Sequence, residues 1–253
     1  MSICLVCIIQ GNIYGQNSQS SKRFLKWFAN DPATLVKDFG VNHLVVLGFS
    51  GITFTTLSDF DERTSNQLSG RYNRSLYLNT TNEFGTVRIM APIAAAVFGT
   101  SLLSSNERFQ DAAFTSLQAV LYNQLSVGAL KFAFARSRPY QNDGSLDFNF
   151  FSKTGTSFPS GHTSTAFAVI TPWIVYYPSI FTYSLLAIPT GTALARIAKG
   201  RHWLTDVTFG AAIGAYWGYY LSRKHLSITT DEGIRFEPDV TFQSVGMKMS
   251  ISL

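Results

Sequence analysis

The chain has 253 residues, of which 14% are charged and 14% are aromatic, and its formal net charge is +5. Soluble domains carry about 25% charged residues, so the composition favours a protein that lies in or against a membrane. The mean hydropathy of +0.11 does not decide between the two. The small positive charge forms no basic stripe with interleaved aromatic residues, which argues against a nucleic-acid partner. Two cysteines, Cys4 and Cys7, are too few for a disulfide framework.

The chain opens with a short apolar run, residues 3–9, followed by small and polar residues. This run is too short to span a bilayer and is similar to a secretory signal without a positively charged start. We therefore expect residues 1–16 to form a signal or an N-terminal apolar segment. Residues 22–40 alternate apolar side chains with lysine and arginine, a pattern typical of an amphipathic helix at a membrane surface.

Six apolar segments predict the helices of a single domain over residues 22–225. They lie at about 42–58, 89–105, 112–134, 163–177, 180–196 and 206–222. Their many small residues favour close helix packing. Several segments are near the lower limit of about 17–25 residues for a membrane span, so a spanning bundle and a periplasmic bundle both remain open. The polar stretch between the first two segments, 59–88, is predicted to be a loop.

The last residues, 226–253, form a tail of different character. Met247, Met249 and Ile251 alternate with polar residues, and this period of two predicts a β-strand. The predicted fold is therefore all-α, with about six helices in a bundle and a short β-like C-terminal tail.

Lys131 and Arg138 lie seven residues apart, directly before Pro139. On one continuous helix they would project from nearly the same face, and Pro139 would end that helix. Two cations placed in this way form a clamp for a dianion, to which arginine contributes a planar bidentate fork.

The run Pro159-Ser160-Gly161-His162 precedes a long apolar segment. Proline and serine suit the start of a helix, and glycine lets a ligand approach the backbone. Free N–H groups at a helix N-terminus bind anions, so phosphate oxygens would lie beside the Ser160 hydroxyl. His162 would stand at the edge of the site as the general acid that protonates the leaving group.

The third group is Arg196, His202 and Asp206. His202 and Asp206 are four residues apart, which places them on the same face of a helix. A carboxylate on one ring nitrogen fixes the tautomer and leaves the other nitrogen free to attack. We predict that His202 is a nucleophile that forms a phosphohistidine, with Arg196 on the oxygens of the transition state. A metal site is not expected, because the clustered cations repel a metal ion and only one carboxylate is close.

Taken together, the three motifs resemble the signature of the type 2 phosphatidic acid phosphatase (PAP2) superfamily, to which the vanadium haloperoxidases also belong. The resemblance covers about residues 85–222. It implies a helical bundle with the active site at one end and phosphohistidine chemistry without a metal or other cofactor. It assigns catalysis to His202, His162 and Asp206, and phosphate binding to Lys131, Arg138, Ser160, Gly161 and Arg196. Ala195 stands where the family usually has a serine.

The resemblance implies hydrolysis of a phosphomonoester or pyrophosphate, with a lipid phosphate as the favoured substrate. Candidates are phosphatidic acid, phosphatidylglycerol phosphate, undecaprenyl pyrophosphate and lipid A phosphates. The expected location is the bacterial inner membrane, with the active site facing the periplasm. Three alternatives stay open at this point: a soluble periplasmic acid phosphatase, a vanadium haloperoxidase, and a catalytically silent membrane scaffold or transporter.

Overall fold

The computed structural model describes residues 22–32, 51–72, 74–229, 233–241 and 244–252. Residues 22–32 (α1) and 51–58 (α2) are helical. The elements that follow are α3 (Asp61–Leu68), α4 (Leu76–Phe84), α5 (Val87–Ser101), α6 (Glu107–Phe134), a 3₁₀ turn (Pro139–Gln141), α7 (Gly161–Tyr176), α8 (Ile180–Ser184), α9 (Ala187–Ala198), α10 (Leu204–Thr229), β1 (Gly233–Thr241) and β2 (Ser244–Ser252). The predicted helical bundle is confirmed. Residues 1–16, and the part of the first predicted helix before residue 51, lie outside the described residues.

The centre of the bundle is α7, which packs against α6, α9 and α10. Its closest approach is to α10, along a row of three glycines at every fourth residue: Gly210, Gly214 and Gly218. A Cβ atom at Gly210 would lie 2.5 Å from the carbonyl oxygen of Ser160, and one at Gly218 would lie 2.6 Å from Thr171. Because these positions have no side chain, the start of α7 lies directly against the first turns of α10.

Helix α1, the described part of the predicted amphipathic segment 22–40, is amphipathic and packs against the bundle. Residues 33–40 lie outside the described residues, and a place at a membrane surface stays a prediction. Phe24 and Trp27 are buried in an aromatic cluster with Phe114, whereas Leu25 and Phe28 are exposed. This helix is also anchored by a buried carboxylate. Asp31 accepts hydrogen bonds from Gln118 on α6 (2.8 Å) and from His225 on α10 (3.1 Å), and Lys224 forms an ion pair with it at 2.9 Å.

The C-terminal tail forms an antiparallel hairpin. Gly233 pairs with Ser252, and Thr241 pairs with Ser244, so that β1 and β2 run alongside each other over their whole length. The predicted strand character of the tail is confirmed.

The predicted loop over 59–88 was wrong, because this stretch contains α3 and α4. Both helices are polar, and their hydropathy gave no sign of burial. Their buried polar residues form hydrogen bonds with the rest of the bundle instead: Asp61 with Thr205 and Asn82 with Arg196. Such partners offset the desolvation that otherwise keeps polar residues at the surface.

By length and composition, one helical stretch among the described residues is able to cross a membrane. It is Ile180–Ala198, of which a third is buried inside the protein. Helices α4 and α5 meet at an angle of 64° and would provide a second span if the bent pair crossed as one unit. Many large apolar side chains are nevertheless exposed around the bundle, among them Leu103, Leu125, Ile180 and Phe181.

Candidate active site

Lys131 and Arg138 meet at a single backbone carbonyl, although they are not on one helix. Helix α6 ends at Phe134, because Ala135 takes a left-handed conformation (φ 40°), and Arg138 follows in extended backbone. The prediction of a continuous helix up to Pro139 was therefore wrong. Both side chains still donate to the carbonyl oxygen of Thr156, Arg138 at 3.2 Å. The early end of α6 turns the chain back so that the two cations converge.

Ser160, Gly161 and His162 begin α7 and connect the first motif to the third. Ser160 is the N-cap residue, and its backbone N–H donates to the carbonyl oxygen of Asp206 (2.9 Å). A Cβ atom at Gly161 would lie 3.8 Å from Cε of Lys131, so the first turn of α7 lies beside that lysine. The Nε2 atom of His162 lies 3.4 Å from the hydroxyl of Thr86, at the bend between α4 and α5.

Arg196 lies near the end of α9 and is 8% exposed. Its Nη1 donates to the side-chain oxygen of Asn82 (3.0 Å), and its buried Nε has no hydrogen-bond partner among the described residues. Ala195, beside it, is buried against Leu78 of α4. The guanidinium is thus oriented from α4 and keeps a free donor in a buried position.

His202 and Asp206 are in contact, as their spacing predicted, but His202 precedes the helix. Helix α10 begins at Leu204, so the prediction that one helix carries both residues was wrong. The Nδ1–H of His202 donates to Oδ2 of Asp206 (3.3 Å). The same oxygen accepts from the backbone N–H of Trp203 (2.9 Å) and from the hydroxyl of Ser157. This arrangement holds the tautomer in which Nε2 of His202 carries the lone pair.

The two histidines of the site are neutral at pH 7. Burial, followed by the nearness of Arg196, Arg138 and Lys131, lowers the pKa of His162 to about 4. Burial likewise lowers the pKa of His202 to about 3, and the hydrogen bond with Asp206, which favours the protonated ring, only partly offsets it. Arg196, Arg138 and Lys131 all lie near enough to His162 to lower its pKa, so residues of all three motifs lie close together.

Lys131, Arg138 and Arg196 form no ion pair with a carboxylate in the part of the chain that the structure describes. Their fixed partners are neutral oxygens: the carbonyl of Thr156, the carbonyl of Arg201 and the amide of Asn82. Desolvated cations are costly without a counter-charge. These three side chains therefore lack a counter-charge among the described residues.

A cavity of about 390 Å³ opens beside His162, between the bend of α4 and α5 and the start of α7. Its polar lining includes Thr86, Arg88, Gln124 and Thr165. The amide N–H of Gln124 donates to the hydroxyl of Thr165 at 2.7 Å. The cavity therefore lies next to the imidazole of His162.

Several residues that support the site were absent from the motifs. Arg136, Ser157 and Asp61 surround Asp206 directly or through one contact, while Asn82 orients Arg196. Two signals were available in the sequence. Arg136 directly follows a long apolar segment, and Asp61 and Asn82 lie in the polar stretch 59–88. Among the described residues, no group of three or more His, Cys, Asp or Glu side chains lies close enough to hold a metal ion.

The structure therefore combines a helical bundle with a group of basic side chains at one end, beside two neutral histidines. Residues 112–228 match the model of the PAP2 superfamily. The matched region contains every residue of the three motifs.

Two curated proteins are similar to part of this chain. The chain is 37% identical over 102 residues to a lipid A 1-phosphatase of Porphyromonas gingivalis. This alignment covers 38% of this chain and 20% of that protein. It is 30% identical over 102 residues to a lipid A 1-phosphatase of Rhizobium johnstonii, with coverage of 39% and 41%. The chain thus matches less than half the length of these curated relatives.

Two solved structures share the fold. A phosphatidylglycerolphosphate phosphatase from Bacillus subtilis, described as a transmembrane PAP2-type enzyme, aligns with a TM-score of 0.58 at 19% identity, over 74% of this chain and 96% of its own. Aquifex aeolicus LpxE aligns with a TM-score of 0.50 at 20% identity, over 65% and 95%. These alignments confirm the PAP2-type helical bundle.

Proposed function

We propose that the protein is a phosphatase that hydrolyses a phosphomonoester or pyrophosphate of a lipid through a phosphohistidine on His202. The observation that carries the proposal is a group of three basic side chains, Lys131, Arg138 and Arg196, gathered around two neutral histidines and without a carboxylate partner among the described residues. Burial, together with the nearby arginines, lowers the pKa of Lys131 to about 7, so a bound dianion would also favour the protonated form of this lysine. A phosphate dianion supplies the counter-charge that these side chains lack. The free Nε–H of Arg196 then has an oxygen to bind.

In the first step, the Nε2 lone pair of His202 attacks phosphorus. The P–N bond forms while the bond from phosphorus to the leaving oxygen breaks, and that oxygen takes the electron pair. Asp206 stabilises the positive charge that develops on the ring of His202, because it already accepts the Nδ1–H. Developing charge on the phosphoryl oxygens is met by Arg196, Lys131, Arg138 and the first N–H groups of α7.

His162 supplies the proton for the leaving oxygen. In the empty site its ring is neutral, because burial and three cations lower its pKa to about 4. A bound phosphate dianion has the opposite sign and raises that pKa, so the ring gains its proton as the substrate binds. In the second step, neutral His162 takes a proton from water, and the resulting attack on phosphorus breaks the P–N bond.

The leaving group fits in the cavity lined by Thr86, Gln124 and Thr165, because this cavity contacts His162. Exposed apolar side chains on α5, α6 and α8 provide a surface for acyl or prenyl chains, and the relatives named above are lipid phosphatases. We therefore place the protein in the bacterial cell envelope, at the inner membrane with the site facing the periplasm. A soluble periplasmic phosphatase is the alternative, since a single described stretch is able to cross a membrane unaided.

The test measures phosphate release by the full chain, purified in detergent, with a chelator present and no added metal. The substrates are phosphatidic acid, phosphatidylglycerol phosphate, undecaprenyl pyrophosphate, a lipid A phosphate and a soluble aryl phosphate. We expect turnover of one lipid and a loss of at least about 10³-fold in His202→Ala. The matched control is His225→Ala, which removes a buried histidine with its own carboxylate partner at the other end of α10, roughly 30 Å away.

Turnover in His202→Ala at the wild-type rate would refute the mechanism. A preference for the soluble ester would favour the periplasmic acid phosphatase. Absence of phosphate release from all five substrates would refute the proposed function, and a haloperoxidase or a scaffold would then be tested with vanadate, which inhibits a phosphatase and activates a haloperoxidase.

A further inference from the structure

Arg136 is fully buried between two buried carboxylates. Its Nη1 donates to Oδ1 of Asp206 at 2.7 Å, and its Nη2 donates to Oδ2 of Asp61 at 2.7 Å. All three residues are 0% exposed. Arg136 lies inside the variable part of the first motif, and Asp61 lies on α3, before the region that the superfamily model matches. Neither residue is one of the specified positions of the three motifs.

Every nitrogen of this guanidinium is bonded. The carbonyl oxygen of Ser145 accepts from Nε at 2.8 Å, and the hydroxyl of Thr205 accepts from Nη1 at 2.6 Å. The rings of Phe54, Phe148 and Trp203 lie 5.3–5.7 Å from its central carbon. Phosphate therefore has no direct access to Arg136, which differs in this respect from the three cations of the site.

Asp61 fixes the turn that carries Asp206. It accepts from the backbone N–H of Thr205 at 2.8 Å and from the hydroxyl of Thr205 at 2.7 Å, so it caps the first turn of α10. Through Arg136, Asp61 is also linked to the carboxylate of Asp206, the residue that follows Thr205. The position of the carboxylate that faces His202 thus depends on a helix that is distant in sequence.

The two oxygens of Asp206 have separate partners. Arg136 binds Oδ1, whereas Oδ2 accepts from His202, Trp203 and Ser157. A rotation of the carboxylate would break both sets of bonds. Arg136 therefore determines which oxygen faces the nucleophile.

Charge gives Asp61 a second effect. Arg136 and Asp206 alone would form a neutral pair, with little negative charge left to stabilise the ring of His202 once phosphorus is attached to it. When Asp61 is ionised, the three groups carry a net charge of −1 in a region of low dielectric. Burial raises the pKa of Asp61, whereas its hydrogen bonds with Thr205 and Arg136 favour the ionised form.

We propose that Asp61 and Arg136 are positioning residues for the nucleophile: they hold Asp206 ionised and aimed at Nδ1 of His202, and Asp61 restores the negative charge that Arg136 would otherwise cancel. This inference rests on the proposed function. It predicts that the pair affects formation of the phosphohistidine and leaves binding of the phosphate group unchanged, because Lys131, Arg138 and Arg196 do not contact it.

The test compares the full-length wild type with Asp61→Asn, Arg136→Gln and the conservative variants Asp61→Glu and Arg136→Lys. Three quantities are measured for each: kcat, KM, and the inhibition constant of orthovanadate, which binds as a phosphate mimic. We expect kcat to fall about 10²-fold in Asp61→Asn and Arg136→Gln, with KM and vanadate inhibition within about threefold of the wild type. The conservative variants should recover part of kcat.

The pH dependence of kcat/KM separates the two charges. Removal of the cation in Arg136→Gln strengthens the pairing of Asp206 with protonated His202, so the acid limb should move to higher pH. Removal of the anion in Asp61→Asn should produce no such upward movement. A merely structural role would give the same profile in both variants.

The control is Arg23→Gln, which removes an arginine paired with the buried Asp111 near the other end of α6, and it should keep the wild-type kcat. Wild-type kcat in Asp61→Asn and Arg136→Gln would overturn the inference, as would joint loss of vanadate inhibition and kcat in all four variants. If the wild type itself released no phosphate, the proposed function would fail first, so the two failures are distinguishable.

Discussion

The substitution Gly210→Ala tests whether the close contact of α7 with α10 aligns the active site. The new Cβ atom would lie 2.5 Å from the carbonyl oxygen of Ser160, whereas ordinary contact begins near 3.4 Å, so the two helices must separate by roughly 0.9 Å. Overpacking of this kind costs about 1–3 kcal/mol, and the better helix propensity of alanine returns about 0.5–1 kcal/mol. The free energy of unfolding should therefore fall by at most about 2.5 kcal/mol.

Activity should suffer more than stability. The N–H of Ser160 donates to the carbonyl of Asp206, so a separation at Gly210 moves the anion-binding turn away from the nucleophile. A misplacement of about 1 Å costs on the order of 10²-fold in rate. The assay is phosphate release, together with thermal unfolding in the same detergent. Wild-type turnover in Gly210→Ala would refute this reasoning.

The matched control for this experiment is Gly128→Ala on α6. A Cβ atom at Gly128 would have no atom within 4 Å. This variant should have wild-type activity and gain about 0.5–1 kcal/mol in the free energy of unfolding, because alanine is the better helix former. Loss of activity in both variants would mean that glycine is needed for another reason than close packing.

Two further predictions concern the binding of phosphate. Binding at pH 7 should be accompanied by uptake of a proton on His162, because the dianion raises a pKa that lies near 4 in the empty site; calorimetry in buffers of different ionisation enthalpy measures it, and His162→Asn should show no such uptake. Vanadate at about 100 times its Kd should stabilise the fold by about 2.7 kcal/mol and raise Tm accordingly, whereas Arg196→Ala should show little stabilisation and Arg23→Gln the wild-type shift. Equal proton uptake in His162→Asn, or equal stabilisation in Arg196→Ala, would contradict the placement of these residues at the phosphate.

The apolar helices and the motif residues were accessible from the sequence, because each carries a local signal. The apolar segments of α5, α6, α7 and α10 are long enough to predict a helix. The spacing of four residues correctly predicted the contact of His202 with Asp206. Local spacing did not determine the backbone between motif residues. Alanine does not favour a positive φ, so Ala135 did not indicate a left-handed turn. That turn ends α6 at Phe134, five residues before Pro139.

Helices α3 and α4 escaped prediction for a different reason. Hydropathy detects burial only when the buried side chains are apolar, whereas these helices bury Asp61 and Asn82. The partners that make this possible are distant in sequence: Thr205 lies 144 residues from Asp61, and Arg196 lies 114 residues from Asn82. A single sequence contains no record of such pairs.

The site contains two groups of charges, which differ in their partners. The inner group, with Arg136 between Asp61 and Asp206, is saturated: each charge has a fixed partner and no solvent exposure. The outer group, with Lys131, Arg138 and Arg196, has only neutral partners within the described residues. The saturated group can be rigid because its stability does not depend on a ligand. The outer group lacks a counter-charge, and in the proposed mechanism a phosphate dianion supplies it. The free energy gained on binding would then be available to align phosphorus with Nε2 of His202.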